Sequence, residues 1–259
     1  MLDMHPPILV SWGRAAAFLS RAPRGVTAVA GLLASTFALA AAKPPPGVAA
    51  NCPAHATAVV EHFMGADCMD CWKAAPPSAG ASPVGDTEWA MDWIVPAADD
   101  APMAPGALPE SADRLARLGP TLPALLTTQP AAFDAHTVLE TPVAKRRFYI
   151  HSSLPHMGYM GVQMHATGVW PAGSTGWLAL VEQIPVGTRD TVLPRRLVRV
   201  LVGPLQLPAG PGAKNAVAPL YGLRWPENAH ADQLVATAWV ENAEGRITQI
   251  ATDRCADPK

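Results

Sequence analysis

An α/β domain followed by an antiparallel β-sandwich-like domain is the fold class this sequence predicts. Three observations carry that reading. Residues 56–72 run as an apolar, β-branched stretch into a glycine turn and a Cys-x-x-Cys pair. Short helical and strand-like segments alternate up to about residue 140. From there, strand-like runs recur between Gly and Pro turns with no convincing helix, the pattern of a sandwich.

The first expected strand is Thr57–Phe63, read from Thr-Ala-Val-Val-Glu-His-Phe. Gly65 turns the chain, and Cys68 and Cys71 follow at the mouth of a short helix, 71–75, that Pro76-Pro77 stops. Ser78–Asp86 reads as loop, and Trp89–Val95 as a second buried strand. Residues 96–108 form a Pro/Ala loop. Pro109–Leu118 reads as a helix, with acids early, Arg114 and Arg117 late, and Gly119 as its cap. Pro120-Thr121-Leu122-Pro123 then heads an apolar strand. Beyond Lys145 the expected strands are 146–152, 159–169, 176–183, 197–202, 233–241 and 246–252. Residues 241–246 make a hairpin between the last two.

Composition bounds the function. The chain has 259 residues, a net charge of −2, 15% charged residues and 28 prolines. No bulk charge favours nucleic acid, and the proline load disfavours a helical bundle. Phosphate-loop, zincin and hydrolase-elbow motifs are missing from the sequence. Arg14, Arg21 and Arg24 precede an uninterrupted small and apolar run, Gly25–Ala42, which Lys43-Pro44-Pro45-Pro46 ends. This is the order of a secretory signal, cleaved between about Ala40 and Ala50. The alternative is an uncleaved tether through residues 25–42, since the run approaches spanning length. The expected organisation is therefore 1–42 signal or anchor, 43–55 linker, 56–140 α/β domain and 141–259 sandwich-like domain. The location is periplasmic or secreted, or else anchored at the inner membrane.

Export changes how the four cysteines read. Cys68 and Cys71 form the local pair. Cys52 and Cys255 remain, and an oxidising compartment favours a structural disulfide between them. Closing so long a loop is worth about 5 kcal/mol in the chain-entropy model.

A strand delivering C-x-x-C to a helix N-terminus is how thioredoxin-like proteins present a redox pair. There the helix end favours thiolate. Cys68 is then the attacking thiol and Cys71 the resolving one. Lys73 favours the thiolate, Asp70 opposes it, and Glu61 on the preceding strand assists proton transfer if it faces the pair. Pro123, with Pro120 second, is the candidate for a cis proline packed over the pair. The enzyme reading is a thiol–disulfide oxidoreductase without further cofactor, acting on thiol- or disulfide-bearing envelope proteins. Two alternatives stand beside it. One is a non-catalytic envelope binding module that keeps the disulfide as a staple. The other is Cu(I) binding by soft ligands, from Met64 near the cysteines and from His156, Met160, Met164 and His165.

Val59, Val60, Glu61, Phe63, Cys68 and Cys71, followed by Asp92-Trp93 and by Arg196-Leu197-Val198-Arg199, resemble the exported thioredoxin-like family catalogued as domain of unknown function 1223. The sequence departs from that pattern at Trp72, where the family has proline, and at Ala90, where it has histidine. The resemblance implies an architecture, because the family has no settled activity.

Overall fold

The apolar run after residue 56 forms strand β1 (Ala58–Gly65), buried along its whole length. The computed structural model describes residues 56–74, 87–127, 131–143, 146–207, 216–217 and 219–253. All of them belong to one compact unit, residues 45–259. Cys52, Cys255, the apolar run 25–42 and the loop at 78–86 lie outside the described residues. Among those described, no helix is long and apolar enough to cross a membrane.

At Gly65 the chain turns sharply, and the Cys68 N–H returns to the Gly65 carbonyl at 2.9 Å. A Cβ on Gly65 would lie 2.6 Å from Asp67 Oδ1 and 2.9 Å from Leu126 Cδ2, so a side chain has no room here. Helix α1 (Met69–Lys73) follows. Strand β2 (Glu88–Val95) then runs parallel to β1, with Phe63 opposite Trp93. Their rings stack at 5.8 Å. Strand β3 (Ala132–Val138), which the sequence reading passed over, pairs antiparallel with the other edge of β1.

Helix α2 (Glu110–Arg117) has Pro109 at its N-cap, and Gly119 follows it at a φ of +109°. That geometry suits a residue without Cβ. The next segment corrects an expectation. Residues 122–127 are helix α3 (Leu122–Thr127), not a strand headed by proline. Pro123 stands exposed in the first turn, where a missing N–H breaks no helical bond. Among the described residues the cis peptide bond is Gly203–Pro204, so neither Pro123 nor Pro120 is a cis proline.

Eight more strands follow: β4 (Arg147–Ser152), β5 (Tyr159–Thr167), β6 (Thr175–Ile184), β7 (Arg195–Gln206), β8 (Ala216–Val217), β9 (Tyr221–Arg224), β10 (Leu234–Glu241) and β11 (Ile247–Thr252). They do not form a separate body. A mixed seven-stranded sheet has the order β11-β10-β6-β7-β2-β1-β3, and a smaller one joins β4, β5 and β8, with β9 also on β5. A boundary at 140/141 therefore cuts through one sheet. The junction is the parallel pairing of β2 with β7 at Asp92 and Leu197.

The molecule is mostly β, with few helices. One face of the large sheet carries a core in which Trp93 meets Trp239 edge-to-face at 6.2 Å. Trp177 stacks on the same Trp239 at 6.5 Å. The small sheet packs on the other face through Met160, Val162 and Met164 against Leu178, Leu180 and Ala236. The small sheet thus packs on a mixed sheet that includes β1, β2 and β3, rather than on an antiparallel sheet of the later strands alone. The hairpin between β10 and β11 forms as expected, with Gly245 at a φ of +75°.

Candidate functional site

Cys68 and Cys71 are joined as a disulfide with their Cα atoms 5.3 Å apart. Cys68 is the N-cap of α1, and its Sγ accepts the Cys71 backbone N–H at 3.3 Å. Both cysteines are half-buried, while Asp67, Asp70 and Lys73 are exposed. Lys73 lies in the last turn of α1, at the end away from Cys68.

The interior side of α1 is anchored by Trp72. This side chain is 4% exposed and packs with Met64, Ile94 and Leu197. Its indole Nε1 donates to the Arg189 carbonyl at 2.7 Å. Arg195 completes the attachment from below. Its Nη2 donates to the carbonyls of Cys71 (3.1 Å), Trp72 (2.6 Å) and Ala74 (2.7 Å). Its Nη1 donates to Asp92 Oδ1 at 3.0 Å, and its guanidinium lies 5.3 Å from the centre of the Trp72 ring. The other Asp92 oxygen accepts the Arg196 N–H at 2.7 Å. Strand alternation explains the placement. Trp93 faces the aromatic core, so its neighbour Asp92 faces α1, and the register of Asp92 with Leu197 brings Arg195 beside it.

The loop that receives Trp72 is fixed in turn. Arg189 and Asp190 hold φ values of +50° and +60°, unfavourable for residues with a Cβ. Arg189 donates to both oxygens of Glu182, at 3.1 and 2.7 Å. Glu182 is fully buried and also accepts the His230 N–H at 2.8 Å. Arg199 approaches the same carboxylate at 3.5 Å and donates to Asn228 Oδ1. Burial pulls Arg199 below the ordinary guanidinium range; Glu182 opposes this and the like charge of Arg189 adds to it.

Glu61 does not face the cysteine pair. It is 1% exposed and accepts from Arg114 through both oxygens, at 2.8 and 2.5 Å. Arg114 is wholly buried and also reaches Glu241 at 3.0 Å and the Gly245 carbonyl at 2.7 Å. Burial works against its charge, but Glu61 and then Glu241 outweigh that and hold Arg114 above its ordinary range. Burial pushes the Glu241 carboxyl up, against the pull of Arg114. The alternation that puts Phe63 in the aromatic core puts Glu61 on the same face, toward α2.

The soft ligands of the copper reading are dispersed. Met64 is in the cluster around Trp72. Met160 and Met164 point inward from β5 into the core between the sheets. His165, next to Met164 in the strand and so on its opposite face, stacks on Tyr149 at 4.6 Å, and His156 is exposed in the β4–β5 turn. Among the described residues, no group of three or more His, Cys, Asp or Glu is placed to hold a metal ion.

Sequence reasoning missed Arg195, Arg189 and Glu182. One signal was available: Asp92 is a lone carboxylate in the otherwise apolar Trp-Ala-Met-Asp-Trp-Ile-Val, and a buried carboxylate requires a cationic partner. No family model, curated protein or solved structure matches the chain.

Proposed function

We propose that this protein performs thiol–disulfide exchange at Cys68–Cys71 on cysteine-bearing partner proteins outside the cytoplasm. The observation that carries the reading is the N–H of Cys71 directed at Cys68 Sγ. On reduction the same donor would stabilise a Cys68 thiolate and leave Cys71 to resolve. The Cys68 thiolate attacks one sulfur of a partner disulfide, and the partner's other sulfur leaves as thiolate. The Cys71 thiolate then attacks Cys68 Sγ, releasing the partner's second thiolate and restoring the Cys68–Cys71 bond. Two electrons pass to the partner, and the reverse sequence oxidises it.

The β1–α1–β2 unit, parallel and with C-x-x-C at the first turn of its helix, supports a thioredoxin-like origin for this end of the sheet. The resemblance to domain of unknown function 1223 belongs to the same proposal. So does export, which rests on the Arg-flanked run 25–42. A second reading, a binding module with a structural disulfide, is favoured by the bonds from Arg195 and to the Arg189 carbonyl that fix α1.

Equilibration with glutathione buffers decides between the two. A midpoint between about −270 and −120 mV is expected for an exchanging pair, and one well below about −300 mV marks a staple. In the first case Cys71→Ser traps mixed disulfides through Cys68, and Cys68→Ser traps none.

A further inference from the structure

The small sheet buries one face against the large sheet and turns the other away. Along β4, Phe148 and Ile150 pack inward, so Tyr149 and His151 stand on the outer face. Along β5, Met160, Val162, Met164 and Ala166 pack inward, which puts Gln163 and His165 on that same outer face. The antiparallel register pairs Tyr149 with His165 and His151 with Gln163. His165 is therefore directly across from Tyr149 and diagonal to His151, a spacing that ring side chains span. Three rings meet there. His151 and His165 have their centres 5.2 Å apart at an interplanar angle of 76°. Tyr149 stacks on His165 at 4.6 Å with an interplanar angle of 3°, and meets His151 edge-on at 5.2 Å.

Nε2 of His165 is buried and has no hydrogen-bond partner. A buried polar atom without a partner is disfavoured, and a bound cation would give it one. The ring spacing selects the ion. Two imidazoles that hold one ion at about 2.0–2.1 Å with a tetrahedral angle between them have ring centres about 5.2 Å apart. The right angle of a square-planar site brings them to about 4.5 Å. The observed separation is the tetrahedral one, the geometry that zinc takes with neutral imidazole. Among the described residues no carboxylate joins the pair in a larger cluster, which leaves calcium and magnesium without their oxygen ligands. Tyr149 is not a third donor. Stacked planes lie apart, so its hydroxyl stays out of the His165 ring plane, where an ion on Nε2 sits. It fixes the orientation of that ring instead. Arg147 shares the outer face but stands beyond Tyr149, at the end away from His151 and opposite Thr167.

We infer that His151 and His165 bind a zinc ion on the outer face of the small sheet, with Tyr149 as a positioning residue and water in the remaining positions. Met160 and Met164 lie on the opposite face of β5, so the donor set is nitrogen alone and differs from the soft-ligand set of the copper reading. The ion joins β4 to β5 across their pairing. It therefore binds the folded chain in preference to the unfolded one and adds to the stability of this sheet. The site uses no cysteine and does not depend on the exchange reading.

The test uses the full chain, untagged, freed of metal with a chelator and kept oxidised so that thiolates of Cys68 and Cys71 do not compete. The probe is zinc ion alone, followed by titration calorimetry and by thermal unfolding. Expected are saturable binding and a Tm that rises with zinc concentration. His151→Ala and His165→Ala should each weaken binding by at least about tenfold and remove the rise in Tm. Tyr149→Ala should weaken binding about threefold, whereas Tyr149→Phe, which keeps the stacked ring, should restore it. His156→Ala, in the neighbouring turn, should bind as the unaltered chain does. His151 is exposed, so its replacement leaves the fold intact and decides the matter even where His165→Ala does not fold. No binding at about 100 μM zinc, undiminished binding by His151→Ala, or a loss as large with His156→Ala would overturn the proposal.

Discussion

Two buried arginines hold two different parts of this molecule. Arg114, in α2, is satisfied by the carboxylates of Glu61 and Glu241 and by the Gly245 carbonyl. It ties β1, β10 and the β10–β11 turn to one helix. Arg195, in β7, donates to Asp92 and to the carbonyls of Cys71, Trp72 and Ala74 at the end of α1. Arg114 therefore answers charges that are already inside the fold. Arg195 answers backbone groups that a five-residue helix leaves free at its end. The first cluster secures the framework; the second secures the segment that carries the cysteines.

Arg114→Met should show the largest effect. It leaves buried Glu61 without its cation and Glu241 with only Arg117 at 3.6 Å, a loss of about 3–5 kcal/mol by denaturant unfolding. The alkylation rate of reduced Cys68 should not change, once compared in conditions where the variant is folded. A changed rate would mean that the framework and the cysteine segment are not separable.

Arg195→Met should cost less, about 1.5–3 kcal/mol, because Asp92 keeps the Arg196 N–H. Its signature is local. Amide exchange over residues 71–74 should rise about tenfold more than at β6 or β10, where exchange follows global stability. A uniform rise across the protein would place Arg195 with Arg114 as a framework residue.

The smallest effect lies outside both clusters. Burial, then the charge of His151, lowers the His165 pKa from its ordinary 6.5. The folded protein thus binds this proton less readily than the unfolded chain. The stability contributed by neutral His165 is present above pH 6.5 and lost as pH falls through the lowered value. His165→Gln should flatten the stability profile below pH 6.5, while the ionic clusters keep their own dependence. An unchanged slope would remove His165 as its source.

Local signals in the sequence were legible. The β-branched run before Gly65, the C-x-x-C turn, Pro109 and Gly119 around α2, and the Asn242–Gly245 hairpin each announce a structure that their own residues enforce. Short apolar runs were not: Leu122–Leu126 has no period long enough to separate strand from helix, and packing of Leu125 decides for helix. Strand β3 was passed over because Ala-Phe-Asp-Ala-His-Thr-Val is half polar, as an edge strand is. Glu61 was read with the cysteines because it is near them in sequence, although alternation turns it toward α2. The most consequential omission, Arg195, has no local signature. It lies 103 residues from Asp92, and only the sheet brings them together.

The single pairing of β2 with β7 also sets an order of events in folding. Strands β1 and β2, α1 and the cysteines are all made before β7 exists, and several of their buried side chains lack their long-range partners until the later strands arrive. Asp92 waits for Arg195, Trp72 for the Arg189 carbonyl, and Trp93 for Trp239. Contacts so distant along the chain close late, because the intervening loop entropy is lost before they form. The cysteine segment therefore becomes ordered last, though it is synthesised first. A chain ending near residue 140 contains the disulfide motif but not the strand that gives it a defined shape.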